Sequence, residues 1–296
     1  MSTPKIASDY INVYKPEGDV FPGPQSANLT VGQFYEEWVP NDHCFVRDAS
    51  GRWHAFGITH PLTDLSDVHS GEHLLFHAIA PPGTLKGVLR EGSWEDQEKV
   101  LPPSERPREI PAIHAPWVLC RDGLSHMIYG PTPIRHAVSR DLTSWTPRGS
   151  LPGAPSGRDP QVFVWNDLYH LIVCGVNDVK VATSEDFQTW TEHGPALKMR
   201  EGIDPESPSI VRYRDAFYLF VCGWDGEWDR VDLQGAYQHK TYVYQSDDPM
   251  KFALESEVAV IDAHAPEIIQ DEEGDWFISS VEWPHRGVSI ARLVWD

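Results

Sequence analysis

Short apolar runs separated by polar turns recur along the chain, and no long stretch shows the 3.6-residue periodicity of a helix. In each unit an apolar run, a short polar turn and a second, aromatic-rich run follow one another, which is typical of a β-hairpin. The hairpins fall at residues 44–58, 116–130, 162–175, 210–223 and 267–281. The sequence therefore predicts an all-β protein built from repeated antiparallel units.

A second repeat follows three of these hairpins. The segments 136–145 and 181–190, and more loosely 243–252, share the pattern Ser-x-Asp-x-x-x-aromatic. Ser and Asp side chains in such a turn bond to nearby backbone, so the motif is interpreted as structural, with its aromatic residue packed between units. Units of this length with three or four strands indicate a radial β-propeller with five blades.

The domain organisation predicted from this repeat is simple. Residues 41–296 form one five-bladed β-propeller catalytic domain, and residues 1–40, which are rich in turn-forming residues, form an N-terminal extension that packs on it. The Pro-rich segment 81–112 is expected to supply the outer strand of the first blade and a long loop.

Charge restricts the partners. The chain has 44 acidic and 24 basic residues and a formal net charge of −20, which repels phosphate backbones and anionic membranes. We therefore expect a small neutral carbohydrate or similar substrate, no nucleic acid and no membrane; the oligomeric state is not encoded in any pattern. No secretory leader is visible, so the protein is expected in the cytoplasm.

The cysteines give no metal or disulfide signal. Cys44, Cys120, Cys174 and Cys222 lie far apart in apolar, strand-like runs, without the spacing of a zinc site or the density of a disulfide scaffold. They are expected to be buried thiols.

Candidate chemistry lies at the starts of the five hairpins. In a propeller the first strand of each blade lines the central channel, so polar residues at these starts converge on the axis. The five starts are Asn41-Asp42-His43, His114-Ala115-Pro116, Arg158-Asp159-Pro160, Glu206-Ser207-Pro208 and His264-Ala265-Pro266-Glu267. Three of them carry Asp42, Asp159 and Glu206 at corresponding places.

Three converging carboxylates suit glycoside hydrolysis. That reaction needs a carboxylic acid to protonate the leaving oxygen and a carboxylate on the other face of the sugar, acting as base or nucleophile. Mutual repulsion in a partly enclosed pocket is expected to raise one pKa, as a general acid requires at neutral pH. The longer Glu206 side chain suits proton donation.

These residues resemble the motifs of the five-bladed propeller glycosidases, glycoside hydrolase families 43 and 32 and their relatives. Asn41-Asp42 is similar to the first-blade motif, Arg158-Asp159-Pro160 to the Arg-Asp-Pro motif and Glu206-Ser207-Pro208 to the Glu-x-Pro motif. The resemblance covers residues 40–296. It implies that Asp42 is the base or nucleophile, that Asp159 orients the acid and binds sugar hydroxyls, and that Glu206 is the general acid.

Further residues are candidates for substrate binding. Glu267 is the main rival of Glu206 as the acid, and otherwise supports the site. Aromatic rings can stack on a sugar, although core packing is the alternative for them. Histidines can bind hydroxyls or only satisfy backbone groups. Arginines can bind hydroxyls or hold a carboxylate in place, or they can simply be surface charges. The substrate-binding candidates are His43, His114, Trp117, Arg158, Trp224, His264, Glu267 and Arg286.

No cofactor is required by this chemistry. A structural Ca²⁺ in the central channel is an option that the sequence does not predict, because its several oxygen ligands cannot be assembled from the pattern. No metal ligands are therefore assigned.

Three functions are compatible with this inventory. The first is hydrolysis of a terminal furanoside or small glycoside of the arabinofuranoside, xyloside or fructoside type. The second is transglycosylation on the same scaffold, and the third is sugar binding without turnover. The sugar, the linkage, the stereochemical outcome and the choice between exo and endo cleavage stay open.

Overall fold

The computed structural model describes residues 2–16, 38–61, 72–224, 240–282 and 287–296. Two short strands come first in the chain, β1 (Pro4–Ile6) and β2 (Ile11–Tyr14). They are followed by five successive antiparallel sheets. Within the described residues no helix is long and apolar enough to cross a membrane.

Blades one to four are each a four-stranded antiparallel sheet in sequence order. Blade one contains β3 (Trp38–Arg47), β4 (Trp53–Pro61), β5 (Leu74–Ile79) and β6 (Glu95–Asp96). Blade two contains β7 (His114–Arg121), β8 (Leu124–Gly130), β9 (Arg135–Ser139) and β10 (Thr146–Ser150). Blade three contains β11 (Arg158–Trp165), β12 (Leu168–Cys174), β13 (Asp178–Ser184) and β14 (Thr191–Lys198). Blade four contains β15 (Asp204–Tyr213), β16 (Ala216–Trp224), β17 (Lys240–Ser246) and β18 (Glu257–Asp262).

The fifth blade joins the two ends of the chain. Strands β19 (Ile268–Gln270), β20 (Trp276–Glu282) and β21 (Gly287–Trp295) form its inner part. Strands β1 and β2 both pair with β21, so residues from the predicted N-terminal extension complete the last sheet. The five-bladed, all-β propeller predicted from the repeat is thus confirmed. Two single-turn 3-10 helices, Lys86–Val88 and Leu254–Ser256, lie between strands.

The core consists of apolar layers between neighbouring blades. One cluster fills each interface; the layer between blades one and two, for instance, includes Phe56 and Tyr129, and that between blades four and five includes Phe220 and Ile278. Because each sheet buries both faces, its strands read as nearly continuous apolar runs, which is how the pattern revealed them.

The Ser-x-Asp repeat holds the turn between the third and fourth strands, as predicted. The hydroxyl of Ser139 accepts the backbone N–H of Leu142 at 2.9 Å, and Asp141 accepts the N–H groups of Thr143 and Ser144. Ser184 and Asp186 make the same bonds one blade later. The aromatic residues that close the motif, Trp145, Trp190 and Phe252, are buried between blades.

The long loop after blade one is fixed by a buried arginine. Arg106 is 2% exposed and donates hydrogen bonds to the carbonyl oxygens of Leu101, Ile110 and His73 at 2.8, 2.7 and 3.2 Å. Segment 81–112 contains β6, as expected. The bond from Arg106 to His73 holds its last part against blade one, and the bonds from Arg135 of β9 to the carbonyl oxygens of Ile110 and Ala112 hold it against blade two.

Candidate active site

The same unusual backbone conformation recurs at the start of the inner strands. In blades two to five the residue before proline has a left-handed backbone, with φ of 37° at Ala115, 54° at Asp159, 47° at Ser207 and 48° at Ala265. The register of β7, β11 and β15 shifts by a bulge at this point. Bulges re-aim side chains, and left-handed backbone at non-glycine residues is concentrated at functional sites.

One arginine bridges two of the predicted catalytic carboxylates. Arg158, at the start of β11, donates from Nη1 to Asp159 Oδ2 at 2.5 Å, and its Nη2 lies 3.2 Å from Glu206 Oε1 on β15. Asp159 is 3% exposed, whereas the side chains of Glu206 and Arg158 are 18% and 28% exposed. The guanidinium thus holds a buried carboxylate of blade three beside a more accessible one of blade four.

The third carboxylate is tied in by Ser207. The Ser207 hydroxyl donates to Asp42 Oδ1 from β3, and its backbone N–H donates to Asp159 Oδ2 at 3.2 Å. The structure therefore brings Asp42, Asp159 and Glu206 together with Arg158, as the strand starts implied. The chain of contacts runs from Asp42 through Ser207 and Asp159 to Arg158 and Glu206.

The electrostatics of this group act most strongly on Asp42. Burial raises the pKa of Asp42 well above its ordinary value, and the nearby charges of Asp159 and Glu206 raise it further. The Ser207 hydrogen bond and the Arg158 charge oppose this shift. The raised pKa of Asp42, the residue that the resemblance makes the base, therefore comes first from burial and then from repulsion by the neighbouring carboxylates.

The charges also act on the arginine. Burial alone would lower the pKa of Arg158, but the charges of Asp159 and Glu206 raise it, so the guanidinium stays charged.

A fourth carboxyl faces Asp42 from blade five. Glu267 is 9% exposed, and burial together with the charge of Asp42 raises its pKa well above the ordinary value. Its backbone N–H donates to Ser279 Oγ at 2.9 Å, and Ser279 lies 2.8 Å from His43 Nε2. Glu267 is therefore a buried neighbour of Asp42 whose carboxyl group is harder to ionise than a free glutamate.

His43 lies in the interior rather than at the accessible side of the site. It is 2% exposed; Nδ1 lies 3.3 Å from the Asn41 carbonyl oxygen, while Nε2 meets Ser279. Burial lowers its pKa to about 4, so the imidazole is neutral. With both ring nitrogens engaged, His43 links blades one and five and has no nitrogen left for a sugar hydroxyl, in contrast to the predicted binding role.

His114 and Trp117 begin β7 in blade two. His114 Nε2 lies 3.2 Å from Glu72 Oε2, and its side chain is 25% exposed, so it stays within reach of a ligand. Trp117 packs against the apolar clusters on both faces of its blade. This contact fits the packing alternative for Trp117 better than a sugar platform.

The remaining candidates are spread over blades four and five. Trp224 is half-buried at the end of β16, where it pairs with Asp204, two residues before Glu206. His264 is 4% exposed, and its backbone N–H donates to Ser280 Oγ at 3.0 Å. Arg286 lies outside the described residues.

The strand register corrects one detail of the sequence interpretation. Arg158 and Glu206 pair with Cys174 and Cys222, so they occupy the same place in their blades, and Asp159 corresponds to Ser207. In β3 the shift falls between Pro40 and His43, which aligns Asp42 with the proline of the other starts. The three carboxylates thus come from three successive positions of the repeat, not from one.

Two residues of the site were missed from the sequence. Ser207 occupies the variable position of the Glu-x-Pro motif, and only its equivalence to Asp159 in the repeat could have drawn attention to it. Glu72, the partner of His114, follows a polar stretch without any motif and gave no signal.

The cysteines follow the prediction with one exception. Cys44, Cys174 and Cys222 are buried, while Cys120 is exposed, contrary to expectation. Cys120 lies one residue from the end of β7, where Leu119, Cys120 and Arg121 are all at least partly exposed. Burial and the neighbouring Asp159 raise the pKa of the Cys174 thiol, so it lies beside the site as an uncharged group.

The acidic side chains closest to a metal-binding arrangement lie elsewhere. Within the described residues, Asp271, Glu273 and Asp275 place ligand atoms within 4.8 Å of one another in the turn between β19 and β20. This turn is at the opposite end of the hairpin from the strand starts. It is therefore distinct from the central-channel position at which a Ca²⁺ was considered.

Comparison with known proteins rests on the fold. No family model matches the sequence, and no curated protein matches it. The structure is similar to an exo-1,5-α-L-arabinanase from a bovine ruminal metagenomic library, with 15% identity, a TM-score of 0.62, and coverage of 86% of this chain and 92% of that one. It is also similar to a family 43 β-xylosidase/α-arabinofuranosidase from a compost microbial metagenome, with 14% identity, a TM-score of 0.62, and coverage of 87% and 91%.

A family 32 enzyme shares the same architecture. The Bombyx mori β-fructofuranosidase matches with 15% identity and a TM-score of 0.60 over 86% of this chain and 59% of that protein. At these identities the comparison establishes the fold, which is that of the five-bladed propeller glycosidases of families 43 and 32.

Proposed function

We propose that the protein hydrolyses the glycosidic bond of a small neutral sugar, with a terminal arabinofuranoside, xyloside or fructoside as the substrate class. The observation that carries the proposal is the contact chain among three carboxylates from three blades, joined through Arg158 and Ser207. Its support from outside the chain is the similarity to an arabinanase, a xylosidase/arabinofuranosidase and a fructofuranosidase.

Each carboxylate has a role that its surroundings favour. Glu206 is the most accessible partner of Arg158, and a general acid must reach the leaving oxygen of the substrate. Asp159 is buried and fully engaged, which suits a group that fixes the position of others. Asp42 acts as base on water or as nucleophile once it is ionised.

The environment also limits the substrate. Three carboxyl groups, Asp42, Asp159 and Glu206, act on the one guanidinium of Arg158, so its positive charge is already balanced and an acidic sugar would be repelled. Trp224 pairs with Asp204, two residues before Glu206, and its half-buried indole is a candidate apolar face for a sugar ring. A neutral furanose or pyranose at the end of a short chain fits this setting.

The test is a screen of aryl arabinofuranosides, xylosides, galactosides and short fructan-type oligosaccharides. Wild type, Glu206→Gln and Glu267→Gln are compared in parallel, with melting temperature as the check on folding. We expect wild type to cleave one neutral class, Glu206→Gln to lose about 10²–10⁴-fold in kcat/KM, and Glu267→Gln to retain more activity than Glu206→Gln.

The other outcomes are equally informative. Loss of activity in Glu267→Gln with retention in Glu206→Gln contradicts the acid assignment. Sugar binding by wild type without cleavage of any substrate in the panel contradicts the hydrolase and favours a sugar-binding propeller. Transfer to an added sugar acceptor in place of hydrolysis shows a transglycosylase.

A further inference from the structure

Ser207 touches two carboxylates from different blades with two different groups. Its hydroxyl donates to Asp42 Oδ1 and its backbone N–H donates to Asp159 Oδ2 at 3.2 Å. The residue is 8% exposed, so water does not replace either bond easily. Hydrogen bonds from a buried donor to a carboxylate are among the stronger ones in proteins.

The backbone of Ser207 is prepared for this double contact. Its φ of 47° lies in the left-handed region, and the bulge between Glu206 and Ser209 turns the strand at this point. Glu206 and Ser207 are consecutive, so the proposed acid and the donor to the proposed base share one rigid segment. A shift of that segment therefore moves all three carboxylates relative to one another.

The same position in other blades shows that a hydroxyl is not needed for the fold. Ala115 and Ala265 occupy the corresponding place before proline in blades two and five, with φ of 37° and 48°. Alanine is therefore compatible with this backbone conformation. The serine hydroxyl in blade four is not needed for the fold, and its contact is the carboxylate of Asp42.

We propose that Ser207 is a positioning residue of the catalytic site, whose hydroxyl fixes the Asp42 carboxylate relative to Asp159 and Glu206. The inference rests on the proposed hydrolytic function for its kinetic consequences. Its structural part, the control of Asp42 by the Ser207 hydroxyl, is testable without any substrate.

The charged surroundings of Asp42 show why such a donor matters. Asp159 and Glu206 face it from blades three and four and Glu267 from blade five, while Arg158 is the positive group that acts on it. The buried thiols Cys174 and Cys222 lie close enough for Asp42 to raise their pKa values. Burial and the charges of Asp159 and Glu206 disfavour the charged form of Asp42, and the Ser207 hydroxyl is one of the two influences that oppose them.

The substrate-independent experiment follows the carboxyl carbon of Asp42 by NMR in protein labelled with ¹³C-aspartate, with the resonance assigned through Asp42→Asn. In Ser207→Ala we expect the titration of Asp42 to move to higher pH. Ser209→Ala is the matched control, because Ser209 is a buried serine of the same strand whose hydroxyl contacts Gln161 rather than a carboxylate. An unchanged titration of Asp42 in Ser207→Ala overturns the inference, whatever the substrate screen shows.

The kinetic experiment measures kcat and KM against pH for wild type, Ser207→Ala and Ser207→Gly. Both variants lack the hydroxyl, and we expect both to lose about 10- to 100-fold in kcat on the acidic side of the profile with KM little changed. Their acidic limbs should shift together to higher pH. Full recovery in Ser207→Gly alone, with Ser207→Ala impaired, means that backbone strain and not the hydroxyl is responsible, which contradicts the proposal.

Discussion

The guanidinium of Arg158 lies 3.2 Å from the carboxylate of Glu206, across the boundary between blades three and four. The same side chain holds Asp159 at 2.5 Å, so its planar fork sets the spacing of two carboxylates that come from different sheets. This contact depends on the relative placement of two blades. The propeller fold thus brings the first residues of the inner strands of different blades together at the candidate site.

Replacement of Arg158 should therefore reduce activity more than replacement of a surface arginine. We expect Arg158→Met to lower kcat/KM by about 100-fold, because Asp159 and Glu206 lose their common partner and drift from the productive geometry. Arg158→Lys should recover only part of the loss, since lysine cannot bridge two carboxylates in a plane. Arg148→Lys, at an exposed position in blade two, is the control, and equal effects of Arg148→Lys and Arg158→Lys would contradict the assignment.

Asp42 should make the protein less stable at neutral pH than an uncharged residue would. Its folded-state pKa is raised, so its favourable contribution is complete below the ordinary aspartate value of 3.8 and is lost as pH rises through the raised value. We expect Asp42→Asn to melt about 2 °C or more above wild type at pH 7 while activity is lost. The difference should vanish near pH 3; a variant less stable than wild type at pH 7 speaks against the raised pKa.

The buried Arg106 should be important for stability rather than for catalysis. Arg106→Met removes the hydrogen bonds that Arg106 donates to the carbonyl oxygens of Leu101, Ile110 and His73, of which Ile110 keeps a bond from Arg135; we expect the loss to cost about 3 kcal/mol or more of unfolding free energy. Urea denaturation gives the value directly. Arg108→Ala, at an exposed position two residues on, serves as control and should change stability by less than about 0.5 kcal/mol.

The first strand should help to close the ring. Strand β1 pairs with β21 from Pro4↔Trp295 to Ile6↔Leu293, and Thr3 and Asp296 exchange backbone hydrogen bonds. Deletion of residues 2–9 exposes the edge of β21, so we expect a lower melting temperature and a greater tendency to aggregate. The double substitution Lys5→Ser with Asp296→Ser removes only an exposed ion pair and should be nearly neutral. A deletion variant as stable as wild type would show that β1 contributes nothing to closure.

The sequence predicted the blades well because propeller strands are buried on both faces and stand out as apolar runs. The Ser-x-Asp turns added a second period, and the strand starts at His114 and Arg158 coincide with the observed ones. The closure of the fifth sheet was harder to predict from the sequence, because the pairing of β1 with β21 joins residues almost 300 positions apart and has no local sequence pattern.

The convergence of the candidate residues was predictable, but their connections were not. Asp42, Asp159, Glu206 and Arg158 were expected to lie together because they stand at polar, channel-facing strand starts, and they do so in the structure. Their order in the repeat, the bridge through Ser207 and the burial of His43 depend on bulges and on packing between blades, which spacing alone does not encode. The raised pKa of Asp42 likewise depends on burial, a property of the assembled fold.

The most direct test of the central claim compares two glycosides of the same sugar, one with an activated dinitrophenyl leaving group and one with a simple alkyl leaving group. A good leaving group departs without protonation, whereas an alkoxide requires the general acid. We expect Glu206→Gln to retain activity within about 10-fold on the activated substrate and to lose at least about 10²-fold on the alkyl glycoside. Equal losses on both substrates, or none on either, would contradict the assignment of Glu206 as the acid of a propeller glycosidase.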